Sequence, residues 1–130
     1  MKAKELLKKI YEEHNLEKED LYIDKTRGFV VIKRTGIEKI QFQNNIKANF
    51  ELIAYRDDGG CVIKCTATRE EDYVETFSSA TPKNCTNKFL VETCEKRCLG
   101  RAIMKLCRIY EQGEVFSSDE IENQPPNTLN

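Results

Sequence analysis

Three runs of alternating side chains, each closed by a turn signal, are followed by one long amphipathic stretch. That order constrains the fold more than any other feature of the chain. In residues 47–56 (KANFELIAYR), Ala48, Phe50, Leu52 and Ala54 alternate with polar or mixed neighbours, the period-two pattern of a strand. Asp57-Asp58-Gly59-Gly60 is a hairpin signal, because glycine reaches backbone conformations that tight turns require. Residues 61–69 (CVIKCTATR) put Cys61, Ile63, Cys65 and Ala67 on one face. Glu70-Glu71-Asp72 makes a second, charged turn, and residues 73–80 (YVETFSSA) a third strand that Pro82 ends. These segments predict an antiparallel β-meander.

The stretch after the meander predicts a helix over roughly residues 88–110. Val91, Cys94, Cys98, Ala102, Leu106 and Ile109 recur every three or four residues and form an apolar stripe that should lie across the sheet. Residues 2–14 predict an N-terminal helix, with Leu6, Leu7, Ile10 and Tyr11 at helical spacing and Asn15 as its stop. Residues 16–24 read as an acidic connector with a short helical turn. Gly28 opens FVVIKR, a β-branched strand, and Thr35 could cap a short helix, TGIEKIQFQNN. The expected class is α+β, a three- to four-stranded antiparallel meander packed against a long C-terminal helix, with an N-terminal helix. A single domain is expected over residues 1–112. Residues 113–130 read as an acidic, largely disordered tail, with EVFSSDEIE as either a short acidic helix or an extended segment.

At 130 residues and 39% hydrophobic content, the chain can build one modest core. No apolar run approaches the ~20 residues of a membrane-spanning helix, and no signal-peptide pattern opens the chain, so a cytoplasmic protein is expected. Six cysteines occur without any CxxC spacing, and His14 is the only histidine. That pattern favours free, buried thiols over disulfides or zinc. A cysteine nucleophile would need a base, and the carboxylates cluster in turns where solvation explains them. Neither a catalytic function, a cofactor nor a metal is expected.

The near-equal totals of 21 basic and 22 acidic residues conceal an uneven distribution. Residues 111–130 carry five acids and no Lys or Arg, which leaves 21 basic against 17 acidic residues in the rest. The body of the chain is therefore mildly basic. On the long helix, Arg97, Arg101, Lys105 and Arg108 are spaced by four, four and three residues, with Lys96 beside them and Lys83 and Lys88 in the approach. At ~1.5 Å per residue such a row would extend roughly 16 Å and could follow several phosphates. A solvated helix face is the plainer account of the same spacing. A second basic group, Lys25, Arg27, Lys33, Arg34 and Lys39, surrounds the first β-branched strand. Phe29 and Phe42 lie nearby in sequence, and Tyr55, Tyr73 and Phe77 occur in the meander. Cations beside rings suit single-stranded nucleic acid, although core packing is the plainer account of most of these aromatics. The loop FSSATPKNC could hold a phosphate on its hydroxyls and backbone N–H groups, or simply connect strand to helix with Asn84 or Asn87 as cap.

Residues 92–102, ETCEKRCLGRA, resemble the helix pattern E-x-A-E-x-R-A-x-x-R-A of phage-type single-strand annealing proteins, the Erf, RecT/Redβ and Rad-fifty-two-like families. EVFSSDE after the helix looks like the VFSEDE stretch of small phage relatives, and FVVIKRTGIEKI is similar to the x-V-T-R-x-G-x-x-x-I segment of RecT-like proteins. The resemblance covers about residues 22–122. It implies a β-β-β-α core that binds single-stranded DNA, assembles into homo-oligomers and anneals complementary strands in recombination without ATP. It also implies that Arg97 and Arg101 contact the DNA backbone or brace the groove, with Arg34 as a further candidate. Cys94 and Cys98 stand where the pattern has Ala; both residue types are small enough for the same packing.

Two alternatives stand beside that expectation. One is a small protein-interaction module or inhibitor, whose basic stripe is only a solvated surface. The other is a double-stranded-RNA-binding-like domain, which shares the helix, three-strand, helix layout but has a Lys-Lys-x-Ala-Lys signature missing here. A host or phage replication protein, reached through the acidic tail, is a further candidate partner.

Overall fold

The computed structural model describes residues 2–121. The amphipathic N-terminal segment forms α1 (Ala3–Glu13), which buries Leu6 and Ile10 and turns its Lys and Glu residues outward. Asn15 follows it at φ 52°, a left-handed conformation that asparagine tolerates better than most residues and that stops the helix. A 3-10 turn at Lys18–Asp20 leads into β1 (Leu21–Asp24) and β2 (Phe29–Ile32), an antiparallel hairpin with Leu21 opposite Ile32 and Asp24 opposite Phe29. The segment 16–24 is thus half strand rather than only a connector. Four residues with one buried position give almost no periodicity to read.

α2 (Arg34–Gln43) buries Gly36, Ile37 and Ile40. Thr35 lies inside it and does not cap it; its hydroxyl donates to Asp20 Oδ1 at 2.8 Å. Asp20 is buried and also accepts from the Glu17 backbone N–H and from Lys39 Nζ, each at 2.8 Å. That carboxylate ties the 3-10 turn to α2.

The meander forms as its turn signals predict: β3 (Lys47–Tyr55), β4 (Cys61–Arg69) and β5 (Asp72–Ala80), antiparallel in that order. Cys61, Ile63, Cys65 and Ala67 all point into the core from β4, as alternation requires. The β3–β4 register is regular from Lys47 to Leu52 and shifts between Leu52 and Ala54. α3 (Leu90–Leu106) packs beneath β4 and β5 and buries Cys94, Cys98, Ala102, Ile103, Met104 and Leu106. Val91, expected on the apolar stripe, is exposed. Five of the six cysteines are buried, as small apolar side chains in the β4–α3 layer and its surroundings.

The expected domain boundary at residue 112 is corrected. Residues 115–121 belong to the fold as β6 (Val115–Ser117) and α4 (Ser118–Ile121). β6 pairs in parallel with β2, with Val30 opposite Val115 and Ile32 opposite Ser117, and completes a second sheet of order β1-β2-β6. Parallel pairing was hidden because a three-residue strand has no alternation to detect. The chain reaches it through Gly113 at φ 155°, where a Cβ would lie 2.7 Å from Leu6 Cδ2. The end of the proposed tail, residues 122–130, lies outside the described residues. The architecture is α+β, two three-stranded sheets with α3 packed on β4 and β5 of one and touching β6 of the other. Among the described residues no helix is long and apolar enough to cross a membrane.

Candidate nucleic-acid interface

The expected row of four cations on the long helix does not form an open surface. Arg97 is buried, at 3% exposure, and its guanidinium is consumed inside the protein. Nε donates to the Asp119 carbonyl at 3.1 Å, Nη1 to the Ser79 carbonyl at 2.9 Å and to Asn84 Oδ1 at 3.0 Å, and Nη2 to the Asn84 carbonyl at 2.7 Å. A phosphate has no route to it. Its assignment as a DNA contact is therefore corrected to a structural brace between α3, β5, the β5–α3 loop and α4.

Arg101, one turn on, forms a fork with the Glu120 carboxylate, with Nη2 3.0 Å from Oε2 and Nε on Oε1. Its Nη1 donates to the Phe77 carbonyl. The Glu120 hydrogen bonds hold its pKa above the ordinary arginine value, against the effect of burial. Arg108 is not on the helix face at all. α3 ends at Leu106, and Arg108 follows at φ 61°, so the chain turns away before the fourth position of the row. It pairs with Glu111 at 3.0 Å in solvent.

What brings α4 to Arg97 and Arg101 is a close approach of backbones. Gly100 faces β6, and a Cβ there would lie 2.9 Å from Ser117 Oγ. With no side chain between them, α3 and β6 come together, and α4 then sets the Asp119 carbonyl on Arg97 and the Glu120 carboxylate on Arg101. Asp119 ties a second element as well. Its carbonyl accepts from Arg97 while its carboxylate accepts from Arg34 Nη2 at 2.9 Å. Arg34 thus stands at the α2–α4 junction.

The other sequence-predicted cations are scattered. Lys33 lies 5.6 Å over the Tyr22 ring beside β2, and Lys88 lies 5.7 Å over the Phe89 ring in the loop before α3. Lys83 is exposed in the same loop, and Lys96 is half-buried on α3. The loop's candidate anion donors are already occupied: Thr81 Oγ1 accepts from the Lys83 and Asn84 backbone N–H groups, and Asn84 Oδ1 from that of Thr81. Asn87 Oδ1 accepts from Phe89 N–H at 2.7 Å. The connecting-loop reading holds for these groups, except that neither Asn84 nor Asn87 caps α3, whose N-cap position is Phe89.

Two of the row's cations do meet several rings in one cleft. A cleft of about 450 Å³ opens between β5, α3 and the β6–α4 segment. Phe77, Tyr110 and Phe116 line it, with Arg101 and Lys105 on the helix side and Glu75 and Glu120 as its acids. Phe77 is 51% exposed, Lys105 is exposed, and Phe116 packs against Phe29 with ring centroids 4.6 Å apart. Burial, with Glu120 nearby, pushes the Tyr110 hydroxyl up to about 12, so it stays a neutral donor at physiological pH. Phe116 and Glu120 escaped the sequence reading as site residues, because the segment holding them reads as a tail. The signal available was EVFSSDE itself, an apolar pair inside an acidic stretch. Family models, curated proteins and solved structures were all compared with this chain, and none matches.

Proposed function

We propose that the protein binds single-stranded DNA in the cleft between β5, α3 and β6, and that it promotes pairing of complementary strands without a nucleotide cofactor. The observation that carries the reading is the grouping of Arg101 and Lys105 with Phe77, Tyr110 and Phe116 in one open cleft. Phosphates are held by cations and unpaired bases by aromatic faces, so a single strand is the polymer that uses both. The likeness of ETCEKRCLGRA to the annealing proteins supports the strand-pairing step. In this scheme Lys105 meets a phosphate directly, Phe77 and Phe116 offer surfaces for bases, and Arg101 shares its charge with Glu120 until a phosphate competes for it.

A second reading, a protein-interaction module, is favoured by one observation: Arg97, Arg101 and Arg34 all spend their donors on the protein itself. An oligonucleotide titration at two salt concentrations separates the two. Binding that weakens with salt, with Lys105→Ala lowering the log–log slope by about 0.7 and Phe77→Ala costing about 1–3 kcal/mol, supports the cleft. Salt-independent or undetectable binding overturns it and leaves the interaction module. Competition with duplex RNA tests the double-strand alternative in the same assay.

A further inference from the structure

The two edges of the meander sheet are treated differently. At the β5 edge, the carbonyls of Phe77 and Ser79, two residues apart and so pointing the same way, accept from Arg101 and Arg97. The second half of that edge is therefore obstructed for another strand. At the opposite edge, β3 pairs only with β4, and residues 49–55 are all exposed. It carries no proline. Its inward-facing Phe50 and Leu52, opposite Cys65 and Ile63 of β4, are 39% and 55% exposed because α3 lies under β4 and β5 instead. An edge with free backbone groups and uncovered apolar side chains is a pairing surface.

We propose that β3 pairs antiparallel with β3 of a second copy of this chain, about a two-fold axis at Asn49, to give a dimer with a continuous six-stranded sheet. Side chains stay on matching faces only if the axis passes through a residue. The regular part of the strand ends at Leu52, where the register shifts, which confines the axis to its first half. With the axis at Asn49, Lys47 stands opposite the partner's Glu51, and Glu51 opposite the partner's Lys47, on the outer face. Ala48 and Phe50 face each other across the inner one. With the axis at Phe50, Lys47 would face Ile53 in the irregular stretch. With it at Glu51, two carboxylates would meet, which is unfavourable. Lys47 is exposed and makes no ion pair among the described residues, and Glu51 is exposed, 3.4 Å from Lys64. Because Arg97 and Arg101 occupy the β5 edge at Ser79 and Phe77, head-to-tail pairing of β3 with β5 of the next copy is obstructed. The contact proposed is the isologous one, through which assembly stops at two. This inference does not depend on DNA binding.

Sedimentation velocity of the full chain tests it, with Lys47→Glu, Glu51→Lys and the double exchange, each checked for folding by circular dichroism. A wild-type dimer is expected. Each single reversal, which sets like charges opposite at two places, should weaken self-association about tenfold or more. The double exchange restores opposite charges and should recover the dimer. A wild type that stays monomeric through the micromolar range overturns the proposal. So does an assembly larger than two, or a dimer indifferent to the single reversals.

Discussion

Arg97 grips Asn84 twice, through the side-chain Oδ1 at 3.0 Å and through the backbone carbonyl at 2.7 Å. The same guanidinium reaches the carbonyls of Ser79 and Asp119, so one α3 side chain fastens β5, the following loop and α4. Arg97→Ala leaves these acceptors without their donor in a buried site. It should destabilise the fold by about 3 kcal/mol or more, read from urea denaturation. Arg97→Lys should recover little, because one ammonium cannot span acceptors arranged around a planar fork. An Arg97→Ala protein with unchanged stability would return this residue to the DNA-contact role its spacing suggests.

The contrast between Arg97 and Cys65 explains what was legible in the sequence. Alternation along β4 places Cys65 in the core because a strand's two faces differ by one residue, and the structure has it fully buried. The spacing of Arg97, Arg101 and Lys105 correctly puts them near one side of α3. It carries no information about what faces that side. Here the facing element is β6–α4, whose placement depends on a parallel pairing with β2 some 85 residues away, as the Val30–Val115 partnership shows. Long-range pairing of a three-residue strand leaves no local trace. Gly100 inside an otherwise regular helix was the available hint, since glycine there usually marks close backbone approach.

Removing the Glu120 charge should release Arg101 to a phosphate. The two now form a forked pair beside the cleft, and a bound anion must compete with that carboxylate. Glu120→Gln should tighten oligonucleotide binding about fivefold at low salt, equivalent to about 1 kcal/mol of removed repulsion at water-like dielectric. The gain should shrink as salt rises. Fluorescence anisotropy with a labelled homopolymer measures it, and unchanged or weaker binding would place the anion elsewhere.

Gly100→Ala tests the close approach that sets the arginine partners. The new methyl would sit 2.9 Å from Ser117 Oγ and 3.0 Å from its Cβ, so β6 must shift. Helix propensity favours Ala over Gly by about 1 kcal/mol, but overpacking costs about 1–3 kcal/mol. The net effect should be a lower Tm. Adding Ser117→Gly removes both clashing atoms and should recover most of the loss. A Gly100→Ala protein as stable as the parent would mean that α3 and β6 are not in contact at this point.

Asp20 gives the fold an acid-sensitive lock. Burial by itself pushes its carboxyl up, but the hydrogen bonds from Lys39, the Glu17 N–H and Thr35, with the Lys39 charge, outweigh burial and hold it below its ordinary value of 3.8. The folded protein therefore releases this proton more readily than the unfolded chain. The resulting stabilisation is complete at neutral pH, begins to fall as the pH drops into the range where the unfolded carboxyl titrates, and is gone below the depressed folded value. Asp20→Asn should thus be less stable than the parent at pH 7, with the gap narrowing towards pH 3. Denaturation midpoints across that range measure the gap. If it stays constant with pH, the carboxylate charge contributes nothing to joining the 3-10 turn to α2.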